Sequence, residues 1–190
     1  MATSFPRPLR ADAQRNRARV IEAAETLLAK HGMSATMRDV ARAAQVGLGT
    51  VYRHFPTKEA LYQAIARERV LRLLDAAHSA ADIDNPGSAF FDFFTLAVVE
   101  STGEKALVDA LAAAGLDPEA GTSGLYRELE DAAELLLHRA QAANAVRGDV
   151  ARPELLALIT STCIAADRQQ WNPELRGRVL AVIFDGLRRR

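Results

Sequence analysis

The sequence predicts an all-α protein, and three observations support that fold class. Ala and Leu, which favour helices, are abundant along the chain, and only 6% of the residues are aromatic. No stretch of alternating Val, Ile and Thr occurs, although such alternation is typical of a half-buried strand. At 190 residues the chain has room for two helical parts of unequal size. We expect about nine helices in all, from the periodicity of the apolar residues.

The N-terminal segment is predicted to be a short arm followed by one long helix. Residues 1–10 hold two Pro and two Arg without periodicity, which indicates a flexible basic arm. From residue 12 to residue 30, apolar residues such as Val20 and Ala24 recur on one face of a helix. Gly32 is expected to stop this helix.

Two short helices joined by a tight turn are predicted next. Thr36 and Asp39 have the spacing of a capping box, with Asp in place of the usual Glu, and open a helix that ends near residue 44. A turn at residues 45–47 follows. The second short helix begins at residue 48 and reaches Phe55, where Pro56 ends it. Such a pair between longer helices is typical of a helix-turn-helix.

The rest of the chain is predicted to form a larger helical body. Its first helix begins after Thr57 and runs unbroken to about residue 78, and turn-rich segments separate the helices that follow. Those helices are predicted at residues 89–101, 105–114, 122–145, 153–167 and 173–188.

Charge is distributed unevenly between the two parts. Residues 1–60 carry ten Lys or Arg against five Asp or Glu, whereas the remainder carries fourteen against nineteen, so the first part is +5 and the rest −5. A nucleic-acid-binding part needs locally dense positive charge for phosphate, and the remainder of such a protein does not. The charge division therefore favours DNA binding by the N-terminal third.

The second short helix has the two faces that a DNA recognition helix needs. Val51 and Phe55 are four residues apart and are expected to anchor the helix to the core. Tyr52 and His54 supply a phenol and an imidazole suited to phosphate oxygens. By spacing alone, a tight helix pair with Tyr and Phe in its core is the alternative. The outward face is predicted to hold Leu48, Gly49, Tyr52 and Arg53.

Two segments are specific enough to indicate a family. Residues 36–41, TMRDVA, and residues 49–61, GTVYRHFPTKEAL, closely resemble the TetR family of bacterial transcriptional regulators, and the match is ungapped over about residues 14–66. The resemblance implies an all-helical homodimer, with a three-helix DNA-binding head at residues 11–57 and a ligand-binding and dimerisation body at residues 58–190. The expected partners are double-stranded DNA with a palindromic operator, a second copy of the chain, and a small-molecule effector of unknown identity. By position, the resemblance implies DNA contacts for Thr36, Arg38, Leu48, Gly49, Thr50, Tyr52, Arg53, His54 and Lys58.

The sequence departs from the family pattern at three positions of the helix-turn-helix. Gln45 stands where the family commonly has Gly, so a turn that needs positive φ is expected to carry some strain. Gly47 stands where a polar cap is usual, and it is expected to cap the helix slightly less well. Leu48 replaces a polar or basic residue, which predicts an apolar contact such as one with a thymine methyl.

The last two predicted helices are apolar on two sides, which suggests that one side needs a partner. Two such helices from each of two subunits would form an isologous four-helix interface, whereas two ordinary buried helices of a monomer are the alternative. The predicted dimer interface consists of Leu155, Ile159, Cys163, Leu175, Val179, Ile183 and Leu187.

Aromatic residues of the body are candidates for a ligand pocket, although aromatics at helical spacing are also typical of an ordinary core. The segment from residue 138 to residue 150 resembles one subgroup of the TetR family, whose bodies sense diverse small molecules. That likeness names no effector, and no cofactor is expected. The candidate pocket residues are Phe90, Phe91, Phe94, Tyr126, His138 and Trp171.

Other functional classes fit the sequence less well. The four histidines lack metal-ligand spacing and neighbouring nucleophiles, and no phosphate-binding or dinucleotide fingerprint occurs, so we expect no enzymatic activity. Without a long apolar run or a signal-like segment, a cytoplasmic location is expected. The main alternative is a helical adaptor that does not bind specific DNA. Binding of nucleic acid that falls steeply with salt would distinguish the DNA-binding head from such an adaptor.

Overall fold

The computed structural model describes residues 7–101, 104–115 and 122–189, with the backbone alone for residues 7–11 and 104. Over these ranges the chain forms nine α-helices and no β-strand, which confirms the predicted all-α class. A 3-10 helix, Gly32–Ser34, lies between the first two. The helices are α1 (Arg7–His31), α2 (Met37–Ala43), α3 (Leu48–His54), α4 (Lys58–Ala81), α5 (Pro86–Glu100), α6 (Glu104–Ala113), α7 (Ser123–Ala142), α8 (Arg152–Arg168) and α9 (Pro173–Leu187).

The helix bounds differ from the predicted ones at a few ends. Because α1 begins at Arg7, residues 7–10 are helical, which corrects that part of the predicted flexible arm; residues 1–6 lie outside the described residues. Pro8 fits in the first turn of α1, where no intrahelical N–H bond is made. The end of α7 comes before the predicted residue 145, because Asn144 adopts φ +57, which cannot continue an α-helix.

One compact unit comprises the described residues of Met1–Ala66 and Ala106–Pro118. This unit extends beyond the predicted head at residues 11–57, since it also includes the first turns of α4 and most of α6. The physical reason is a shared core, to which these helices contribute apolar side chains. The large side chains that are fully buried in that core include Val20, Leu28, Val51, Leu61, Ile65 and Leu111.

The second compact unit comprises the described residues of Arg67–Lys105 and Glu119–Arg190. Within it α5 packs against α7 and α8, and aromatic side chains fill the space between them. Phe90 and Phe94 are fully buried, and the ring of Phe94 meets the ring of Phe184 edge to face at 5.5 Å. In the described part of the chain, no helix combines the length and apolar character that crossing a membrane requires.

An arginine from α7 holds the C-terminal end of α4. Arg139 donates through Nη1 to the carbonyls of Ala80, at 3.4 Å, and Ala81, and through Nη2 to the carbonyl of Ile83 at 3.3 Å. The last carbonyls of a helix have no intrahelical partner and carry partial negative charge. The guanidinium therefore supplies both hydrogen bonds and a favourable charge where α4 ends.

Candidate nucleic-acid interface

The start of α2 is fixed by a capping box, as the sequence predicts. The Thr36 hydroxyl oxygen accepts a hydrogen bond from the Asp39 amide at 3.2 Å, and the Asp39 carboxylate accepts from the Thr36 amide at 3.1 Å and from its hydroxyl at 2.6 Å. The hydrogen bond from the Thr36 side chain, followed by that from its backbone, holds the pKa of Asp39 below its ordinary value. The capping box thus satisfies backbone amides at the start of α2 through residues only three apart in sequence.

The turn between α2 and α3 has the strained backbone that the sequence predicts. Gln45 has φ +54, in the left-handed region that favours glycine, and its amide donates to the Arg42 carbonyl at 3.1 Å. Val46 then donates to the Ala41 carbonyl at 3.0 Å. Gly47 is the N-cap of α3 and supplies no side-chain hydrogen bond, which confirms the expected weak cap.

The recognition helix α3 has one buried face and one exposed face. Val51 and Phe55 are 0% and 3% exposed, so they anchor the helix in the core, as predicted. Tyr52 is 47% exposed and Arg53 is exposed beside it. The exposed face of α3 therefore does not pack against the core of the head.

The nine residues predicted to contact DNA fall into two groups by burial. Leu48 packs partly against the core of its unit, so less of its side chain is available for the predicted apolar contact than for an exposed residue. Those that are exposed are Thr36, Arg38, Gly49, Tyr52 and Arg53, and those that are half-buried are Leu48, Thr50, His54 and Lys58.

Two cations of the head have internal partners that the sequence did not reveal. Lys58 Nζ donates to the Met33 carbonyl at 2.6 Å and lies 5.6 Å from the centroid of the Tyr62 ring. The guanidinium of Arg17 lies 5.7 Å from the centroid of the Phe55 ring, at the end of α3. Lys58 and Tyr62 are four apart in α4, a spacing that brings side chains together. Residue spacing contains no signal for the other two contacts, because each joins separate segments of the chain. Phosphate contact by Lys58 stays a prediction.

The aromatic residues predicted to line a pocket do not share one environment. Phe90 and Phe94 are buried in the core of their unit with neighbouring rings beside them, and their part in a ligand pocket stays a prediction. Phe91 is half-buried and lies between Phe184, at 4.7 Å, and the Arg188 guanidinium, at 5.2 Å. Of the other three, Tyr126 and Trp171 are half-buried and His138 is exposed.

The predicted dimer-interface residues also divide by burial. Leu155, Cys163 and Leu187 are 1%, 8% and 4% exposed in the single chain. They pack in the core of their own unit, and a contact of these three with a partner stays a prediction. Half-buried members of the predicted set are Ile159, Leu175, Val179 and Ile183.

Apolar side chains that the prediction omitted are exposed on the same two helices. Ile164 on α8 is 47% exposed and Val182 on α9 is 74% exposed. Burying such side chains removes apolar surface from water, which favours association. The predicted interface set does not include these two exposed side chains, and its half-buried members lie on the same two helices.

Metal chemistry finds no support in the described residues, among which no three His, Cys, Asp or Glu side chains are grouped to hold an ion. The lone Cys163 is buried. Exposed basic side chains on α2 and α3 include Arg38, Arg42 and Arg53.

Comparison with known proteins identifies both parts of the chain. Residues 20–65 match the family model for bacterial regulatory proteins of the tetR family. Residues 85–189, more than half of the chain, match the model for the C-terminal domain of SbtR-like transcriptional regulators. The two matches together cover the helix-turn-helix and most of the second compact unit.

Individual relatives agree with these matches. The crystal structure of the TetR transcription regulatory protein from Mycobacterium vanbaalenii has 42% sequence identity and a TM-score of 0.80, with 95% of this chain and 99% of that one covered. The HTH-type transcriptional regulator UidR of Escherichia coli strain K12 is 32% identical over 115 residues, which are 57% of this chain and 56% of UidR. The HTH-type transcriptional repressor LfrR of Mycolicibacterium smegmatis is 35% identical over 88 residues, 46% of this chain and 44% of LfrR. The alignments thus span about half the length of these two curated relatives. With its helix-turn-helix, its all-α fold and both family matches, the chain belongs to the TetR family of bacterial transcriptional regulators and is not an enzyme.

Proposed function

We propose that this protein is a ligand-responsive repressor that binds a palindromic DNA operator as a homodimer and leaves it when a small molecule occupies the body. The observation that carries the DNA-binding part is the division of α3 into a buried and an exposed face. Val51 and Phe55 hold the helix, and Tyr52 and Arg53 point away from the core. A recognition helix needs this division, because the groove face must be free while the other face is fixed.

The exposed face extends from α3 onto the start of α2. Arg38 is exposed there, within the first turn that the capping box fixes. Arginine reads guanine through two hydrogen bonds in the major groove. Arg38, Tyr52 and Arg53 are therefore proposed as the side chains that discriminate between base sequences.

Selection of bound duplexes from a random pool tests this function. Two heads that act together in a symmetric dimer should enrich a palindrome whose half-sites lie about 34 to 36 Å apart, or a multiple of that spacing. Recovery of all sequences alike would contradict sequence-specific binding. Binding of nucleic acid without salt dependence would favour a helical adaptor instead.

Matched variants separate reading of bases from general attraction to DNA. Arg38→Ala should cost roughly 1 to 3 kcal/mol on the selected duplex, and much less on duplexes altered at the base that Arg38 contacts. Arg67, which is exposed on α4 outside the proposed face, supplies the control Arg67→Ala. Equal losses for both variants would remove Arg38 from the proposed base-reading set.

The homodimer is proposed to form through the outer faces of α8 and α9. Ile164 and Val182 expose apolar side chains there, and the half-buried Ile159, Val179 and Ile183 add to the same two helices. A second copy offers the same apolar faces, so a two-fold contact is self-complementary. Two helices from each copy would then form a four-helix interface.

A charged substitution tests that interface. Val182→Glu should shift the mass measured by light scattering from the dimer to the monomer, because a carboxylate would be buried without a partner. Leu135→Glu is the control, since Leu135 is 51% exposed on α7, outside the proposed interface. A Val182→Glu protein that stays dimeric would contradict this assignment.

Release by a small molecule follows if the molecule binds more tightly to a body conformation that does not fit DNA. LfrR is named a transcriptional repressor, which supports the proposal that this protein represses transcription. A compound that raises the Tm of the protein should weaken operator binding. The loss of operator affinity should be in proportion to the preference of the compound for the body conformation that does not fit DNA. Raised Tm with unchanged operator affinity would contradict the coupling of the two sites.

A further inference from the structure

We propose that Lys58 is a positioning residue of the DNA-binding head, whose ammonium ties the connection between α1 and α2 to the first turn of α4. The tie would set where α2 lies, and with it the start of the DNA-binding face. This role differs from a direct phosphate contact. The effect of the tie on DNA recognition rests on the proposed DNA-binding function, although the tie itself can be tested without DNA.

The geometry of the Lys58 side chain supports the tie. Its Nζ donates to the Met33 carbonyl oxygen at 2.6 Å, and the same ammonium lies over the Tyr62 ring at 5.6 Å. A hydrogen bond from a charged donor is roughly twice as strong as a neutral one. Met33 lies in the 3-10 helix directly before α2, and Lys58 is the first residue of α4. One side chain thus connects two segments that lie 25 residues apart in sequence.

Packing near this bond leaves a small gap. A cleft of about 10 Å³, room for about one water molecule, lies between α1, the start of α2 and the start of α4. Side chains that line a gap lose the dispersion contacts that would otherwise fix the helices. Tyr62 also lines the cleft, but its buried hydroxyl makes no hydrogen bond to any described residue. The Lys58 ammonium therefore makes a polar connection where the tyrosine does not.

The position of α2 matters because the proposed base-reading face begins there. Thr36 lines the same cleft and caps α2, and Arg38 lies in the first turn that follows. A hydrogen bond to a base weakens steeply once its atoms are more than about 3.5 Å apart. A small shift of α2 would consequently impair recognition of bases, while attraction to phosphate would change little.

The first experiment needs no DNA. Lys58→Met removes the ammonium but keeps a long apolar side chain, and Lys30→Met removes the same charge from an exposed position at the end of α1. Hydrogen exchange of the amides in residues 33–40 should be about tenfold faster in Lys58→Met than in Lys30→Met, which corresponds to one lost charge-assisted hydrogen bond. Equal exchange in the two variants would overturn the tie.

The second experiment uses the duplex selected from the random pool, well below the Tm of each variant. Lys58→Met should bind it about tenfold more weakly than Lys30→Met, with equal affinity of the two for an unselected duplex. The slope of log affinity against log salt should stay that of Lys30→Met. A slope reduced by about 0.9, with equal losses on both duplexes, would identify a phosphate contact and overturn the positioning role.

A third measurement covers the case in which Lys58→Met does not fold. In a crystal structure of the unmodified protein on the selected duplex, Nζ should remain within hydrogen-bond distance of the Met33 carbonyl oxygen. Loss of that bond in the complex would overturn the proposal. If the unmodified protein selects no sequence, the proposed function fails, whereas the hydrogen-exchange comparison still decides the tie.

Discussion

Replacing Gln45 by Gly tests whether the turn between α2 and α3 stores backbone strain. Gln45 has φ +54, and its exposed side chain makes no hydrogen bond within the described residues. A left-handed backbone costs a non-glycine residue about 1 to 2 kcal/mol, whereas glycine adopts it readily. Glycine also gives the unfolded chain more freedom, which offsets about 0.5 to 1 kcal/mol. The expected net gain in the free energy of unfolding is about 0.5 to 1 kcal/mol.

Thermal unfolding followed by circular dichroism measures this gain. For a chain of this size, 1 kcal/mol corresponds to about 2 to 4 °C, so Gln45→Gly should raise the Tm by about 1 to 4 °C. Gln45→Ala is the matched control, because alanine removes the same side chain but keeps the unfavourable φ. The reasoning would be refuted by a Gln45→Gly protein whose Tm does not exceed that of Gln45→Ala.

Three further predictions concern the same unit. Gly47→Ser should stabilise α3 by a few tenths of a kcal/mol, because a serine hydroxyl can accept a hydrogen bond from the Thr50 amide. There is room for the side chain, since a Cβ at Gly47 would lie 3.7 Å from the Thr50 hydroxyl oxygen. A lower Tm would contradict this prediction. Tyr62→Phe should leave the Tm unchanged or raise it. The buried hydroxyl has no partner among the described residues and carries a desolvation cost of about 1 kcal/mol or more. A clear fall in Tm would show that the hydroxyl is hydrogen-bonded in solution. Asp39→Asn should lower the Tm at pH 7, because Thr36 holds the pKa of Asp39 below its ordinary value. The difference in Tm between the variant and the unmodified protein should shrink as acid protonates the carboxylate. A difference that grows on acidification would contradict that sign.

Local features of the head could be predicted from the sequence because each depends on a few neighbouring residues. The capping box at Thr36 and Asp39 requires only residues three apart, and the positive φ at Gln45 follows from its place in a tight turn. Val51 and Phe55 were identified as anchors because helical periodicity puts them on one face. Such information lies within a single turn or helix.

Features that depend on packing between helices could not be predicted in the same way. Two apolar lines were recognised on the last two helices, but periodicity cannot tell which line faces the chain's own core. Leu155 and Cys163 proved to be buried, whereas Ile164 and Val182 are exposed. The bond from Lys58 to the Met33 carbonyl escaped prediction for the same reason, since a backbone acceptor 25 residues away has no sequence signature.

The three carbonyls held by Arg139 have a mechanical consequence for α4. Helix ends usually fray, so a displacement at a free end is absorbed by unwinding of the last turn. Here a guanidinium bonded to Ala80, Ala81 and Ile83 resists that unwinding. Unwinding of the last turn would have to break these hydrogen bonds, so the end of α4 is held in helical form up to Ala81.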